Sequence, residues 1–166
     1  MDPSNVSDDG SVFGGSLPAG WQIPDNPKDW YSYPLIFPNL LVATTLYTIP
    51  GVPQTQTIQI DAAADFYWTE FEFMAQTHGV TTPLTYGTSV LPLVTILIND
   101  SGSNRNLMQA AVNLSSVAGD GRWPHRLRKP RLFKKNSSVQ ITLANLDATN
   151  AYDVLINFEG FKIYGT

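Results

Sequence analysis

The chain has 166 residues, a formal net charge of −4 and no cysteine. A chain of this length forms one domain that buries roughly 70% of its unfolded surface, and the absence of cysteine excludes disulfides, thiolate metal sites and cysteine nucleophiles. Charged residues make up only 14% of the chain, against a usual level of about 25%. Such a low charge fraction is typical of proteins that pack against neighbours, and also of β-sandwiches rich in Thr and Ser.

Residues 1–34 predict an extended N-terminal arm. Asp, Ser, Gly and Pro dominate this segment, and its five prolines exclude a helix or a central strand. The segment is acidic, with five aspartates and one lysine among residues 1–30. The large side chains near its end are costly in a solvated tail, so we expect residues 21–34 to lie against the chain's own domain or a neighbouring subunit. The contact residues predicted in the arm are Trp21, Trp30 and Tyr31.

The sequence predicts neither secretion nor membrane insertion. No basic region precedes an apolar stretch at the N-terminus, as a signal peptide would require. No run approaches the roughly 18 consecutive apolar residues of a membrane span. We therefore expect a cytoplasmic product without membrane contact.

Residues 35–114 predict a series of strands separated by turns. Residues 91–98 form a nearly continuous apolar run, which predicts a central strand covered on both faces. Residues 106–114 fit either a strand or a short helix. The other segments with alternating or β-branched side chains are 35–49, 54–60 and 66–75.

The last part of the chain shows the clearest period-two alternation. Residues 138–146 and 152–158 alternate large apolar with smaller or polar side chains, which indicates strands with one buried face. The short polar segment 147–150 predicts a hairpin loop between them. Large residues change parity after Gly160, which predicts a β-bulge at that glycine.

These elements predict an all-β protein. About eight strands at these spacings favour an antiparallel β-sandwich, jelly-roll-like, over residues 35–166, preceded by the extended arm. An immunoglobulin-like sandwich is the alternative, although the chain lacks the Cys…Trp…Cys spacing of true immunoglobulin domains.

A basic segment precedes the last strands. Residues 122–135 hold seven of the ten bases and no acid, and two prolines stiffen them. Arginine is the preferred cation of protein interfaces, whereas the overall acidity of the chain disfavours nucleic acid. We interpret the segment as a loop that binds a protein partner, with a solvated loop as the alternative. The predicted interface residues are Arg122, Trp123, Arg126, Arg128, Lys129 and Arg131.

The candidate reactive groups are few. Glu70 and Glu72 share one face of a strand and could act as a glycosidase pair, but an ordinary polar strand face is favoured. His78 and His125 lack the carboxylate pattern of a metal site. Residues 100–104 resemble part of a calcium loop without its later bidentate Glu, which favours a polar turn. The sequence therefore predicts no catalytic residue, cofactor or metal.

The C-terminal third resembles the end of small virion proteins of tailed bacteriophages. The resemblance consists of the basic-aromatic step Arg-Leu-Phe at 131–133, a polar turn, the strand pattern V-x-I-x-L-x-N over 139–145, and the closing G-F-K-I at 160–163. It implies a non-enzymatic β-sandwich or jelly-roll subunit of a virion, either a capsid cement or decoration protein or a part of the neck, collar or tail.

The resemblance and the charge layout together lead to one expectation about function. We expect a structural virion protein, made in the host bacterial cytoplasm, that decorates the capsid. Its partners would be the major capsid protein or other virion proteins, and further copies of itself in a dimer or trimer. A neck, collar or tail protein, a carbohydrate-binding module and a hydrolase using Glu70 and Glu72 are the alternatives.

Overall fold

The computed structural model describes residues 30–81, 87–103 and 105–164. Within these ranges the chain forms ten strands and one 3-10 turn at Leu114–Ser116, and it contains no α-helix. The strands are β1 (Trp30–Leu40), β2 (Gln54–Gln59), β3 (Asp65–Thr77), β4 (Val94–Asp100), β5 (Arg105–Asn106), β6 (Val112–Asn113), β7 (Gly119–Asp120), β8 (His125–Phe133), β9 (Ser138–Asn145) and β10 (Tyr152–Ile163).

The strands form two sheets that pack face to face. One sheet has the order β1-β10-β3, with β8 and the short β7 on the far edge of β3, and the other has the order β2-β9-β4, with β5 and β6 on the far edge of β4. The antiparallel pairs nest, because β1 pairs with β10, β2 with β9, β3 with β8, and β4 with β5 and β6. One long antiparallel hairpin rolled over itself gives this order, which is that of a jelly roll. The prediction of an all-β antiparallel sandwich is confirmed.

The core lies between the two sheets and is rich in aromatic residues. The Trp68 ring lies 4.7 Å from the Phe158 ring, 5.3 Å from Phe71 and 5.8 Å from Phe133, measured between centroids. Its indole N–H donates to the Glu70 carbonyl at 2.7 Å, so this buried donor is satisfied. These four rings come from one sheet, and the facing sheet buries aliphatic residues such as Ile96, Ile141 and Leu143 against them. Because each strand buries one face in this core, alternation within single strands was a usable signal.

The sandwich begins earlier than the predicted boundary at residue 35. β1 starts at Trp30, and it pairs with β10 from Trp30, opposite Phe161, to Leu40, opposite Tyr152. The end of the predicted arm therefore lies extended against the chain's own sheet, where its backbone hydrogen bonds are satisfied. The rest of the arm, with Trp21, lies outside the described residues.

The predicted terminal hairpin is wrong, although both of its strands exist. β9 pairs with β2 and β4 in one sheet, whereas β10 pairs with β1 and β3 in the other. The connection between them therefore crosses the sandwich instead of closing a hairpin. Alternation shows only that one face of each strand is buried. Because this is true both of a hairpin and of an arch that joins two sheets, the pattern does not distinguish the two connections.

The predicted bulge near Gly160 is confirmed, but the extra residue lies in the partner strand. Glu159 pairs with Glu70 and Gly160 pairs with Trp68, so Thr69 of β3 has no partner. A Cβ atom on Gly160 would lie 2.0 Å from the Tyr67 carbonyl oxygen, and only glycine fits there.

β10 itself keeps its alternation past this bulge. Phe158 belongs to the core, whereas Phe161 lies on the outer face, with its ring centroid 6.3 Å from Trp30 and 5.0 Å from Tyr67. The change of parity that the sequence suggested is therefore an aromatic row on the outer face.

The structure also corrects the reading of β4 and of the segment after it. Alternate residues of β4 are buried, but Thr95, Leu97 and Asn99 lie half-buried on the outer face, so the strand is not covered on both faces. Residues 106–114, which fitted a strand or a helix, contain parts of β5 and β6 and then enter the 3-10 turn.

Candidate functional site

An apolar loop between β1 and β2 concentrates exposed hydrophobic side chains within a short stretch of the chain. We call residues 41–53 the end loop. Its Tyr47 and Val52 side chains are 66% and 67% exposed. Exposed apolar residues concentrated in this way mark interaction surfaces. The large apolar residues that the end loop exposes are Leu41, Val42, Leu46, Tyr47, Ile49 and Val52.

The backbone of the end loop is held against the connection that follows β9. Ala43 N–H donates to the Asp147 carbonyl at 2.8 Å, Tyr47 N–H to Leu146 at 3.2 Å, and Gly51 N–H to Asn145 at 2.8 Å. These bonds fix the backbone, so the apolar side chains are presented on a preorganised support.

Sequence reasoning missed the end loop. It placed residues 35–49 in a strand because they are apolar and β-branched. The available signal was the absence of alternation: Leu40, Leu41 and Val42 are consecutive large residues, and a strand with one buried face does not tolerate that pattern.

The predicted basic loop is for the most part strand β8. It pairs with β3, with His125 opposite Phe71 and Phe133 opposite Phe66. Arg122 and Trp123 lie in the turn before it, and the Trp123 side chain is 75% exposed. The segment is therefore the edge of a sheet and not a free loop.

Three bases in and after β8 neutralise carboxylates that are almost fully buried. Arg126 Nε lies 2.9 Å from Glu70, Arg131 Nη2 lies 3.4 Å from Asp100, and Lys134 Nζ lies 3.1 Å from Asp65. The three carboxylate side chains are only 10%, 4% and 8% exposed. An unpaired buried charge is costly, so Arg126 and Arg131, both predicted as interface residues, have a role within the fold.

The remaining predicted bases project from a wide bulge in β8. Arg126 pairs with Glu70 and Arg131 pairs with Trp68, so residues 127–130 oppose the single residue Thr69. Leu127 packs against the core, while Arg128 and Lys129 are exposed.

Five exposed bases make no ion pair with any residue that the structure describes, and we call them the basic edge. Arg105 lies opposite Asp100 in the β4–β5 ladder, and Asp100 is the partner of Arg131 in β8. β8 therefore contacts the other sheet at Asp100, next to Arg105, and the other four bases lie in β8 or in the turns that flank it. The basic edge consists of Arg105, Arg122, Arg128, Lys129 and Lys135.

Three carboxylates lie together on the outer face of the β1-β10-β3-β8 sheet. Glu159 lies opposite Glu70, and Asn157 Nδ2 donates to Glu159 at 2.8 Å and to Glu72 at 3.2 Å. Ser32 Oγ donates to Asn157 Oδ1. Burial raises the pKa of Glu159, and the charges of Glu72 and Glu70 raise it further.

The predicted glycosidase pair lies within this carboxylate group. Glu70 is held by Arg126, and Glu72 shares an amide with Glu159. A pocket of about 230 Å³ in the described part of the chain lies elsewhere, between residues 89–91 and residues 120–122. Because neither Glu70 nor Glu72 lines this pocket, it does not provide a substrate cleft for the hydrolase hypothesis.

The aromatic residues predicted in the arm take different places at the start of β1. Trp30, which is 43% exposed, extends the outer aromatic row with Phe161 and Tyr67. Tyr31 lies on the opposite side, with the Lys162 ammonium 3.8 Å from its ring centroid.

The suspected metal and calcium residues have structural partners. Asp100 accepts hydrogen bonds from Gly102 N–H at 3.0 Å and from the Ser103 hydroxyl at 2.6 Å, which makes residues 100–103 a capped turn. His78 contacts Asp153 at 2.8 Å. Over the described ranges, no group of three or more His, Cys, Asp or Glu side chains has an arrangement that could hold a metal ion. The same residues contain no helix long and apolar enough to cross a membrane.

The surfaces described above are therefore the apolar end loop, the basic edge and the carboxylate face with its aromatic row. Comparisons of the chain with protein-family models, with curated proteins and with solved structures return no match.

Proposed function

We propose that this chain is a structural subunit of a tailed-bacteriophage virion, a capsid cement or decoration protein that binds the major capsid protein and further copies of itself. The end loop carries the proposal, because it presents six large apolar side chains on a fixed backbone. The resemblance of residues 131–163 to phage virion proteins gives the class of particle. The low fraction of charged residues agrees with a subunit whose surface is packed against neighbouring subunits.

The mechanism needs no chemistry. The sandwich is a rigid support for the end loop. When the end loop docks, its apolar surface is removed from water, which stabilises the complex by about 25 cal/mol for each Å² buried. A protein that binds only the assembled shell stabilises it by mass action. We expect the end loop to face the shell because a solvated surface of this kind has no other stabilising partner in the described chain.

A binding assay on particles tests this role of the end loop. Capsids that lack the protein are titrated with the wild type, with Tyr47→Ser/Val52→Ser, and with Ile36→Ser as the matched control. Ile36 is 65% exposed but lies in β1, outside the end loop. We expect the double variant to bind at least about tenfold more weakly, since buried apolar anchors dominate interface energy. Unchanged binding of the double variant, with an unchanged melting temperature, refutes the role of the end loop.

Copy number distinguishes the capsid role from a neck, collar or tail role. A decoration subunit covers the shell in many equivalent copies, whereas a neck or tail part occupies one vertex. Quantitative gel densitometry of purified particles, with the major capsid protein as the internal standard, gives this ratio. A few copies per particle would favour the neck, collar or tail alternative.

A carbohydrate-binding module is a second candidate because of the outer aromatic row. Trp30 lies one row from Glu159 on the same sheet face. Its ring can stack on a sugar, and the neighbouring carboxylates and amide can bind the sugar hydroxyls. Binding to a glycan array that disappears in Trp30→Ala would support this function. Trp123→Ala serves as the control for exposed tryptophan elsewhere.

A further inference from the structure

We propose that the basic edge binds the acidic N-terminal arm, residues 1–29, of a second copy of this chain. This inference rests on one part of the proposed function, namely that copies of the chain associate with each other. It assigns that contact to the basic edge of one copy and the arm of the next.

The arm carries the net negative charge of the chain, whereas the domain is neutral. The chain has 14 acids and 10 bases, and residues 1–29 contain five acids and one base, so residues 30–166 hold 14 − 5 = 9 acids and 10 − 1 = 9 bases. All nine domain acids have a hydrogen-bond or ion-pair partner. These acids are Asp61, Asp65, Glu70, Glu72, Asp100, Asp120, Asp147, Asp153 and Glu159.

The bases do not follow this pattern. Four of them form ion pairs with domain carboxylates, and the five of the basic edge form none among the described residues. The acids of the arm are therefore the counter-charges that the basic edge lacks, and their number is the same. The acids of the arm are Asp2, Asp8, Asp9, Asp25 and Asp29.

The position where the arm joins the sandwich favours a neighbouring copy. β1 and β8 are opposite edges of one sheet, and the row Trp30–Phe161–Tyr67–Leu132 joins them. Three strand spacings of about 4.8 Å separate these edges by about 14 Å. When copies lie side by side, the start of β1 in one copy comes next to β8 of the next.

A path back across its own sheet is unfavourable for the arm. The outer face carries Glu70, Glu72 and Glu159 in the rows that follow the aromatic one. An acidic segment laid over them would add like charges to a group that is already short of cations. The arm of another copy reaches the basic edge without crossing this face.

The shape of β8 indicates how the arm is held. The bulge at residues 127–130 contains Pro130, which has no N–H to donate, so the edge does not offer a regular ladder for an added strand. Binding must then come from side chains, chiefly ion pairs between the bases of the basic edge and the aspartates of the arm. Exposed Trp123 and the pocket beside Arg122 offer apolar contact for Trp21 and Ile23 of the arm.

Such a contact joins two different surfaces, so it repeats from copy to copy until it closes. A reciprocal exchange closes as a dimer, and a head-to-tail ring closes as a trimer or larger ring. Both arrangements leave the end loop free to bind the shell.

Sedimentation of the full-length protein at different salt concentrations tests the contact. We expect an oligomer at about 50 mM NaCl whose dissociation constant rises at least about tenfold at 500 mM, because exposed charges are screened. Serine at all five basic-edge positions, or asparagine at the five arm aspartates, should each give monomers. Exchange of Arg for Lys and Lys for Arg at the same five positions is the matched control and should still assemble.

Charge reversal identifies the two partners. A variant with lysine at the five arm aspartates and a variant with glutamate at the five basic-edge positions should each be monomeric alone and should assemble when mixed. A monomeric wild type, or an oligomer that survives both neutralised variants, overturns the inference. Cysteines at Asp25 and Arg128 that cross-link within one chain only would also overturn it.

The outcome is separable from that of the proposed function. A wild type that oligomerises through these surfaces but does not bind capsids contradicts the virion role and leaves the arm contact in place. A wild type that is monomeric but still binds capsids contradicts the arm contact and leaves the virion role in place.

Discussion

The environment of Glu159 opposes its negative charge. It lies opposite Glu70 in the ladder, it shares the Asn157 amide with Glu72, and its pKa is raised by burial and by these two neighbours. A raised pKa means that its contribution to stability is complete below its usual value near 4.5 and is lost as pH rises through the folded-state value. The carboxylate face is therefore strained at neutral pH.

Glu159→Gln should relieve this strain. The amide oxygen of Gln can still accept the Asn157 hydrogen bond, while the repulsion disappears, so we expect a gain of about 0.5 kcal/mol in unfolding free energy at pH 7. The gain should vanish near pH 4, where the wild-type carboxyl is protonated. Urea unfolding at both pH values measures it. A loss of stability at pH 7 would mean that the carboxylate has a favourable role that its neighbours do not explain.

β8 combines residues that hold the fold with residues that are free to bind. On the sequence alone, all its arginines were assigned to an interface, because burial of their acidic partners is invisible without the fold. Asp100 and Glu70 lie far away in the sequence, and only the nested pairing brings them to β8. Patterns of charge in one segment cannot reveal such pairs.

The two kinds of arginine should separate experimentally. Arg131→Ser should lower the unfolding free energy by about 1–2 kcal/mol, because Asp100 loses its cation but keeps its turn hydrogen bonds and Arg131 is partly solvated. Arg128→Ser, the matched control in the bulge, should change it by less than about 0.5 kcal/mol. Chemical denaturation of both variants tests this, and equal losses would contradict the assignment of the ion pair.

The arch between β9 and β10 is held by Asp147. The Tyr152 hydroxyl donates to its carboxylate at 2.6 Å, and this bond together with donors from Asn150 and Thr149 lowers the pKa of Asp147 to about 2 despite burial. Burial and the same carboxylate raise the pKa of Tyr152 to about 12. The lowered pKa makes the contribution of Asp147 complete above its usual value near 4, and it is lost as pH falls through about 2.

Tyr152→Phe should expose this pH dependence. We expect a loss of about 1–2 kcal/mol in unfolding free energy at pH 6, and a smaller difference from the wild type at pH 2, where Asp147 becomes protonated. Guanidinium titrations at the two pH values measure the difference. An equal loss at both pH values would assign the effect to packing of the ring instead of the hydrogen bond.

At the scale of the whole molecule, period-two alternation was sufficient for the strands and the sandwich but not for their connections. Residues 138–146 and 152–163 were recognisable as strands, yet their pairing could not be read because each face looks the same in a hairpin and an arch. The end loop was missed because β-branched residues suit both a strand and an apolar loop. The exposure of its side chains is a property that only the fold determines.

The layout of the molecule places three surfaces where they do not interfere. The end loop lies at one end of the sandwich, the basic edge lies on one side, and the arm leaves at the opposite edge of the same sheet. The contacts that we propose with a shell and with neighbouring copies can therefore form at the same time. The core between the sheets stabilises the fold, and the end loop and the basic edge are the surfaces proposed for contacts.

A cryo-EM reconstruction of the proposed phage particle would show directly whether this protein decorates a capsid. We expect sandwich density at many equivalent positions on the capsid surface, with Tyr47 and Val52 of the end loop against the capsid protein. Density confined to a single vertex, or a capsid-bound subunit whose end loop faces solvent, would contradict it.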